Sequence, residues 1–557
     1  MTSPDGLRRS ETPHRFLCIV IVGFLLSLTA GMLVPVYSDE TGWRFLERAG
    51  IDAFDGLFSD VCGLNTIAKP PWFIMPVRWF SVATNSAFAA PVYVRMAGVA
   101  CALAWAGLLW LLLSKLEADK KRRLLLGVAA FGLLGLGTLP FLLTLSRPEQ
   151  PIMLSTILML LLVFSRPPQA TGPKMAALKV MGILALSVIA QSYHMKGVLY
   201  ASVGFAAILV CARGRATIAP RMIGILALAA LAMCSAAYWT GRMRCPDDER
   251  LAAMYGRENI VSTLFAQHDF IDVTNTLASG LNPLNYVMLA VPTANPMSHW
   301  LTPGLIQPAV STVFAVILLI FWTFAIGSTL CTLGHSIRIK SWTALAEPRL
   351  VMATSLLGAV TVWGVSQLNR NVYEAAHVLP SLVLAMILSL TLPSVPWNGA
   401  IKWLQRFAVL LMPTALTSQV VILASFGPPM FAQIGQAGYI DDQPFSVSIG
   451  NYAEVRRSIA SAMQRAGIPS DRRLNRVLVD EMTYFALHDS RMPLHRLGVL
   501  SVWNGNLKDP VAYLRSRNSD GIVLGCHHLD ERLRKVAAKS GPICAVSRTT
   551  LNMLAQT

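Results

Sequence analysis

Apolar runs separated by short polar connections fill the first three quarters of the chain. They lie at about residues 16–36, 89–113, 124–146, 151–165, 176–192, 197–212, 220–241, 304–330, 348–366, 375–392 and 407–426. A run of about twenty apolar residues has the length of a bilayer-crossing helix, so the pattern predicts about 11 transmembrane helices, the fourth of them short. After about residue 430 the pattern changes. "YAEVRRSIASAMQRAG" has the spacing of an amphipathic helix, and "NRVLVD" and "DGIVLG" read as buried strands. "DPVAYLRSR" and "LDERLRKVAAKS" read as further helices, the second followed by a strand in "GPICAVS". Such alternation predicts a small α/β domain with a partly parallel sheet. The expected organisation is a membrane domain over residues 1–430, with long outer loops at 37–88 and 242–303, and a soluble α/β domain over 431–557.

Composition strengthens the membrane reading. The 557 residues are 54% hydrophobic and 14% charged, with a mean hydropathy of +0.52, where a soluble globular chain carries about 25% charged residues. The first run exceeds a typical signal-peptide core and ends in "VPVYSDE" without a small-residue cleavage site, so it is read as a retained helix. The formal net charge of +17 marks membrane orientation rather than a nucleic-acid surface. Its basic residues concentrate in alternate short loops, "SKLEADKKRR", "RPPQATGPK", "ARGRATIAPR", "GHSIRIKSWTALAEPR" and "PWNGAIKWLQR". With Arg8, Arg9 and Arg15 at the start, these loops predict a cytoplasmic N-terminus. Residues 37–88, 147–150, 191–196, 242–303, 367–374 and everything after Gly427 then fall on the outer side.

Of nine cysteines, Cys18, Cys101, Cys211, Cys234 and Cys331 sit in or beside spans, and Cys62, Cys245, Cys526 and Cys544 fall outside. The four outer ones permit two disulfides, Cys62–Cys245 and Cys526–Cys544, or four free thiols. In "GCHHLDE", Cys526, His527 and His528 are neighbours at a strand end, where adjacent residues rarely ligate one metal together.

Several ionisable residues gather at the expected outer boundary of the spans: Asp39, Glu40, Arg147, Glu149, His194, Lys196, Arg370 and Glu374. Ionisable groups at membrane depth are costly and usually face a bundle interior or a wet cavity. A convergent set of acids and bases at one lip therefore reads as a site, against the alternative of loop residues snorkelling to the headgroups.

The acid pair Asp39–Glu40 directly after the first span resembles the signature of the GT-C superfamily of integral membrane glycosyltransferases. "SRPEQPIMLS" is similar to an "RPE" element of many bacterial members, and "NRNVYEAAHVLPSLVLAMIL" to their late polar-to-apolar junction. The resemblance covers roughly the first 430 residues. It implies a polytopic enzyme of a bacterial inner membrane, with the C-terminal domain on the periplasmic side. Such an enzyme moves a sugar from a polyprenyl-phosphate or polyprenyl-pyrophosphate carrier to a glycan, lipid or protein acceptor.

Inverting transfer needs a base for the acceptor hydroxyl and cations for the departing lipid phosphate. The resemblance implies Asp39 as that base, with Glu40 positioning the acceptor or tuning Asp39. Arg147, Lys196 and Arg370, with His194, are the implied phosphate ligands, and Glu149 and Glu374 their ion-pair supports. In "KPPWFIMPVRWF", Lys69 and Arg78 among aromatics suit the headgroup layer and the entry of the carrier. The chemistry requires no cofactor; a divalent metal is compatible with it, but no motif supports one. Two other classes fit the same outer-face charges: a transporter or flippase of polyprenyl-linked glycans, and a polymerase or ligase of them. The near absence of charge in the mid-span segments, apart from Arg95 near the start of the second span, and the lack of an internal repeat count against the transporter.

Overall fold

The computed structural model describes residues 4–34, 36–37, 91–136, 139–147, 149–193, 196–243, 307–341, 345–365, 379–392, 446–447, 452–469, 477–487, 494–496 and 520–554, with isolated positions between 407 and 428 and at 492. Its helices in the first part are α1 (Pro4–Ala30), α2 (Pro91–Leu116), α3 (Lys120–Leu134), α4 (Leu139–Leu143), α5 (Glu149–Phe164), α6 (Pro173–Tyr193), α7 (Lys196–Leu199), α8 (Ala201–Val210), α9 (Ile218–Met243), α10 (Gln307–Arg338), α11 (Pro348–Val365) and α12 (Leu379–Leu390). Among the described residues, Val92–Leu116, Pro173–Ser192 and Arg215–Ala237 are long and apolar enough to cross a bilayer. Shorter apolar helices, among them Glu149–Phe164, Pro348–Trp363 and Leu379–Leu390, pack with them. The expectation of about 11 spans is thus met only in part.

Two predicted runs are broken. The run at 124–146 becomes α3 and the short α4, because Gly135 caps α3 and Pro140 opens the next turn. The run at 197–212 becomes α7 and α8, interrupted at Tyr200. One apolar core joins the helices, from Phe24 of α1 through Leu109 and Ile157 to Leu356 and Leu384. The helix α12 is buried along its whole length, so it is the centre of the bundle rather than a lipid-facing wall.

The chain order gives the bundle two unlike ends. At one meet the ends of α1, α6 and α11 and the starts of α2, α5, α8 and α12. At the other lie the "KKRR" start of α3, the Arg338 end of α10 and the loop carrying Arg213.

The C-terminal part contains β2 (Ser446–Val447), α13 (Tyr452–Ala466), β3 (Val477–Val479), α14 (Glu481–Ala486), β4 (Leu494–Arg496), β5 (Gly521–Gly525), α15 (Glu531–Val536), β6 (Ala538–Ser540), β7 (Ile543–Ser547) and α16 (Arg548–Leu554). Five strands form one sheet in the order β4-β3-β5-β7-β6, parallel across β4, β3 and β5 and antiparallel across β5, β7 and β6. Alternate residues face opposite sides, as the period of two requires. Val477, Val479, Val523 and Ile543 pack toward α13 and α14, while Leu478, Ile522, Leu524 and Val546 pack toward α15 and α16. The helix expected over "LDERLRKVAAKS" stops at Val536, and Ala538–Ser540 turns instead into an edge strand. Gly541, at φ 55°, supplies the left-handed residue that closes this hairpin onto β7. The helix expected over "DPVAYLRSR" and the Cys62–Cys245 pair lie outside the described residues.

The sheet is fastened to the first-mentioned end of the bundle. The strand β1 (Val36–Tyr37), just after α1, pairs antiparallel with β2, Val36 opposite Val447 and Tyr37 opposite Ser446. Val36, Val94 and Ala97 join the same core as Val455, Ile459 and Met463 of α13.

Candidate functional site

Glu149 opens α5 and is fully buried, and its carboxylate gathers two cations. Arg147 donates from Nε to Oε2 at 3.1 Å and from Nη2 to Oε1 at 3.3 Å. Lys196 donates from Nζ to the same Oε1 at 3.2 Å. The side chains of Glu149 and Lys196 are 0% exposed and that of Arg147 is 5% exposed. Arg147 lies in the connection that enters α5, Glu149 opens α5 and Lys196 opens α7 just after α6, so the cluster depends on the packing of α5 against α6. The backbone at Lys196 fits closely there, since a Cβ on the adjacent Gly197 would overlap the carbonyl oxygen of Ala190.

Aromatic residues wall the cluster. The Lys196 ammonium lies 4.9 Å from the centroid of the buried Trp363 ring near the end of α11, a cation–π distance. Tyr200 meets Trp363 edge-on at 5.8 Å, and its hydroxyl shares a 2.8 Å hydrogen bond with Ser381 of α12. Residues of α5, α7 and α11 therefore meet where the two cations reach one carboxylate, and Tyr200 links that point to α12.

Arg95, fully buried near the start of α2, ties this point to the chain after α1. Its Nε donates to the Val34 carbonyl at 2.9 Å and its Nη1 to the Thr144 carbonyl at 3.1 Å. Val34 precedes β1 by two residues, and Thr144 precedes Arg147 by three. Gln150 adds a second bridge, donating from Nε2 to the carbonyls of Gly98 and Leu143 at 2.8 Å each. The end of α1, the start of α2 and the α4–α5 turn are thus one hydrogen-bonded block.

Of the residues singled out by sequence, Arg147, Glu149 and Lys196 come together. Asp39, Glu40, Lys69, Arg78, His194, Arg370 and Glu374 lie outside the described residues. Arg95, Trp363, Tyr200, Ser381 and Gln150 belong to the assembly and were not foreseen. Arg95 was visible as a lone charge in an apolar run, the kind of residue that seeks buried partners. The other four carry no signal of their own in the sequence.

In the sheet domain, Cys526 is bonded to Cys544, with a Cα–Cα distance of 4.9 Å. Its sulfur is engaged in that bond, and the rings of His527 and His528 lie 3.9 Å apart at a tilt of 44°. Asp480 accepts hydrogen bonds from the Thr483 and Gly525 amides at 2.8 and 2.7 Å, joining the ends of β3 and β5. Among the described residues no group of three His, Cys, Asp or Glu side chains is placed to hold a metal ion.

No protein-family model matches the chain, and no curated protein matches it. Among solved structures it is similar to the oligosaccharyltransferase of Archaeoglobus fulgidus in complex with zinc and sulfate. The TM-score is 0.46 at 12% sequence identity, over 91% of this chain and 68% of that one. A second structure of that protein, tethered through a disulfide bond to an acceptor peptide containing the NVT sequon, gives 0.46 at 11% identity, over 92% and 69%.

Proposed function

We propose that the chain is an integral membrane glycosyltransferase, which takes a sugar from a polyprenyl-phosphate or polyprenyl-pyrophosphate carrier and transfers it to an acceptor on the outer face. The observation that carries this reading is the buried meeting of Arg147 and Lys196 on Glu149, at the end of the bundle to which β1 is fastened. Asp39 follows β1 by two residues, so fixing β1 restrains the chain that bears the proposed base.

In the proposed reaction the acceptor hydroxyl attacks the anomeric carbon from the face opposite the carrier and its proton passes to Asp39. The bond from the anomeric carbon to the phosphate oxygen breaks, and the electron pair leaves with the lipid phosphate. Arg147 and Lys196 meet that developing charge, with Arg370 and His194 completing the phosphate ligands. Glu149 keeps the two cations at one point before the donor arrives, so little reorganisation is needed at the moment of transfer. Glu40 orients the acceptor, Glu374 supports Arg370, and Lys69 and Arg78 flank the carrier's entry. The division near residue 430 separates this membrane part from a periplasmic sheet domain that steadies β1. Basic residues at the opposite end of the bundle support that orientation.

The test is equilibrium binding of polyprenyl phosphate and of phosphate-free polyprenol to the purified protein in nanodiscs, for wild type and Lys196→Met. Wild type is expected to prefer the phosphate at least tenfold, and Lys196→Met to lose that preference while still binding polyprenol. Equal wild-type affinity for the two lipids would overturn the phosphate role of the cluster.

A further inference from the structure

A groove of about 460 Å³ opens between α8, α10 and α11, and it reaches the end of the bundle away from the cluster. One wall is the face of α8 carrying Phe205, Ala206 and Leu209, and the facing wall includes Leu350 and Val351 at the start of α11. Three hydroxyl residues also line it, yet each hydroxyl is turned back to a carbonyl three or four residues earlier in the chain. Ser202 donates to the Leu199 carbonyl at 3.1 Å, Thr354 to Leu350 at 2.9 Å and Ser355 to Met352 at 3.2 Å. The groove therefore presents a hydrocarbon surface to whatever fills it.

Its mouth is basic. Arg221 donates from Nη1 to the carbonyl of Leu209, a wall residue, at 2.9 Å. Arg213 donates from Nη2 to the carbonyl of Ala346, next to the wall residue Leu345, at 2.7 Å. Arg338 and Lys340 are exposed just past Leu333, which lines the third side. Among the described residues none of these four cations enters an ion pair. Arg349, at the start of α11, donates instead to the carbonyls of Leu116 and Thr391.

We propose that this groove binds an anionic phospholipid of the leaflet opposite the cluster, with one acyl chain between α8 and α11 and the phosphate among Arg213, Arg221, Arg338 and Lys340. The occupant follows from the pairing of the two surfaces. Hydrocarbon walls in a chain of apolar helices take a lipid tail, and arginines at the rim favour a headgroup of net negative charge over a zwitterionic one, whose ammonium offsets its phosphodiester. The site is separate from the proposed donor site, since α11 lines the groove near its start, at Leu350–Ser355, and meets Lys196 through Trp363 near its end.

The test uses the full chain purified in detergent and titrated with phosphatidylglycerol, with phosphatidylcholine, or with phosphatidylcholine plus inorganic phosphate. Retained lipid is read by native mass spectrometry, and thermal stability is read alongside it, since a ligand of the native state raises the melting temperature. Wild type is expected to retain phosphatidylglycerol at least tenfold over phosphatidylcholine, with no effect of inorganic phosphate. Thr354→Phe, which fills the groove, should abolish retention, and Arg213→Gln with Arg338→Gln should abolish only the preference. Unchanged elution as a single species and an unchanged lipid-free melting temperature identify variants that remain folded. Equal retention of the two lipids by wild type, retention by folded Thr354→Phe, or a lipid-free dimer closed over the groove would each overturn the proposal.

Discussion

At the scale of single residues, the site is made of charges that would be costly if taken singly. A carboxylate and two cations out of water are tolerable because each is hydrogen-bonded and paired, as Glu149 is by Arg147 and Lys196. Arg95 is held in the same way, donating from its guanidinium to the carbonyls of Val34 and Thr144. Arg95→Leu is expected to leave both carbonyls without that donor and to lower stability by about 3 kcal/mol, measured by denaturant or thermal unfolding in detergent. Arg95→Lys should recover part of the loss, because one ammonium reaches fewer carbonyls than a fork of N–H groups. Arg147, Glu149 and Lys196 were legible because polar residues at the edge of an apolar run stand out. The partners of Arg95 were not, because backbone carbonyls look alike in any sequence. Trp363 was equally hidden, since an aromatic near a helix end reads as an interfacial anchor until a cation is found beside it.

At the scale of elements, periodicity revealed most helices and the main strands of the sheet, while short and long-range features escaped it. Apolar runs 124–146 and 197–212 look continuous, but Gly135 and Tyr200 divide them. The two-residue pairing of β1 with β2 is the clearest loss. Val36 and Val447 lie at opposite ends of the chain, and two residues are too few to show an alternation. That pairing gives the sheet domain a task in the proposed mechanism. Ser446→Pro with Val447→Pro removes both amide donors of β2. The double variant is expected to reduce sugar transfer at least tenfold while the melting temperature of the helical bundle stays unchanged. Transfer at the wild-type rate would show that β2 does not steady the chain leading to Asp39.

At the scale of the whole molecule, two features organise the chain. One end of the helical bundle gathers Arg147, Lys196, β1 and the sheet, and the other gathers basic loops and the groove between α8 and α11. The sheet is closed by Cys526–Cys544, whose partners are 18 residues apart. Loops of that size make a disulfide worth about 3 kcal/mol. Cys526→Ser is therefore expected to destabilise the sheet domain by about that amount, read as an earlier thermal transition or faster proteolysis after residue 430. The disulfide also favours an oxidising compartment for this end of the molecule, in agreement with the proposed orientation, in which the basic loops lie at the other end. Sequence disclosed both halves of this plan through composition and charge. How the halves join is set by contacts of Val36, Val94 and Ala97 with α13, which no local pattern announces.

The central claim is sugar transfer from a lipid carrier with Asp39 as base. It is tested most directly by the rate of transfer in membranes supplied with a panel of polyprenyl-phosphate sugars, comparing wild type with Asp39→Asn. The account predicts transfer from at least one donor by wild type and a loss of about a hundredfold or more in the variant, with carrier binding retained. Transfer by Asp39→Asn at the wild-type rate would contradict it.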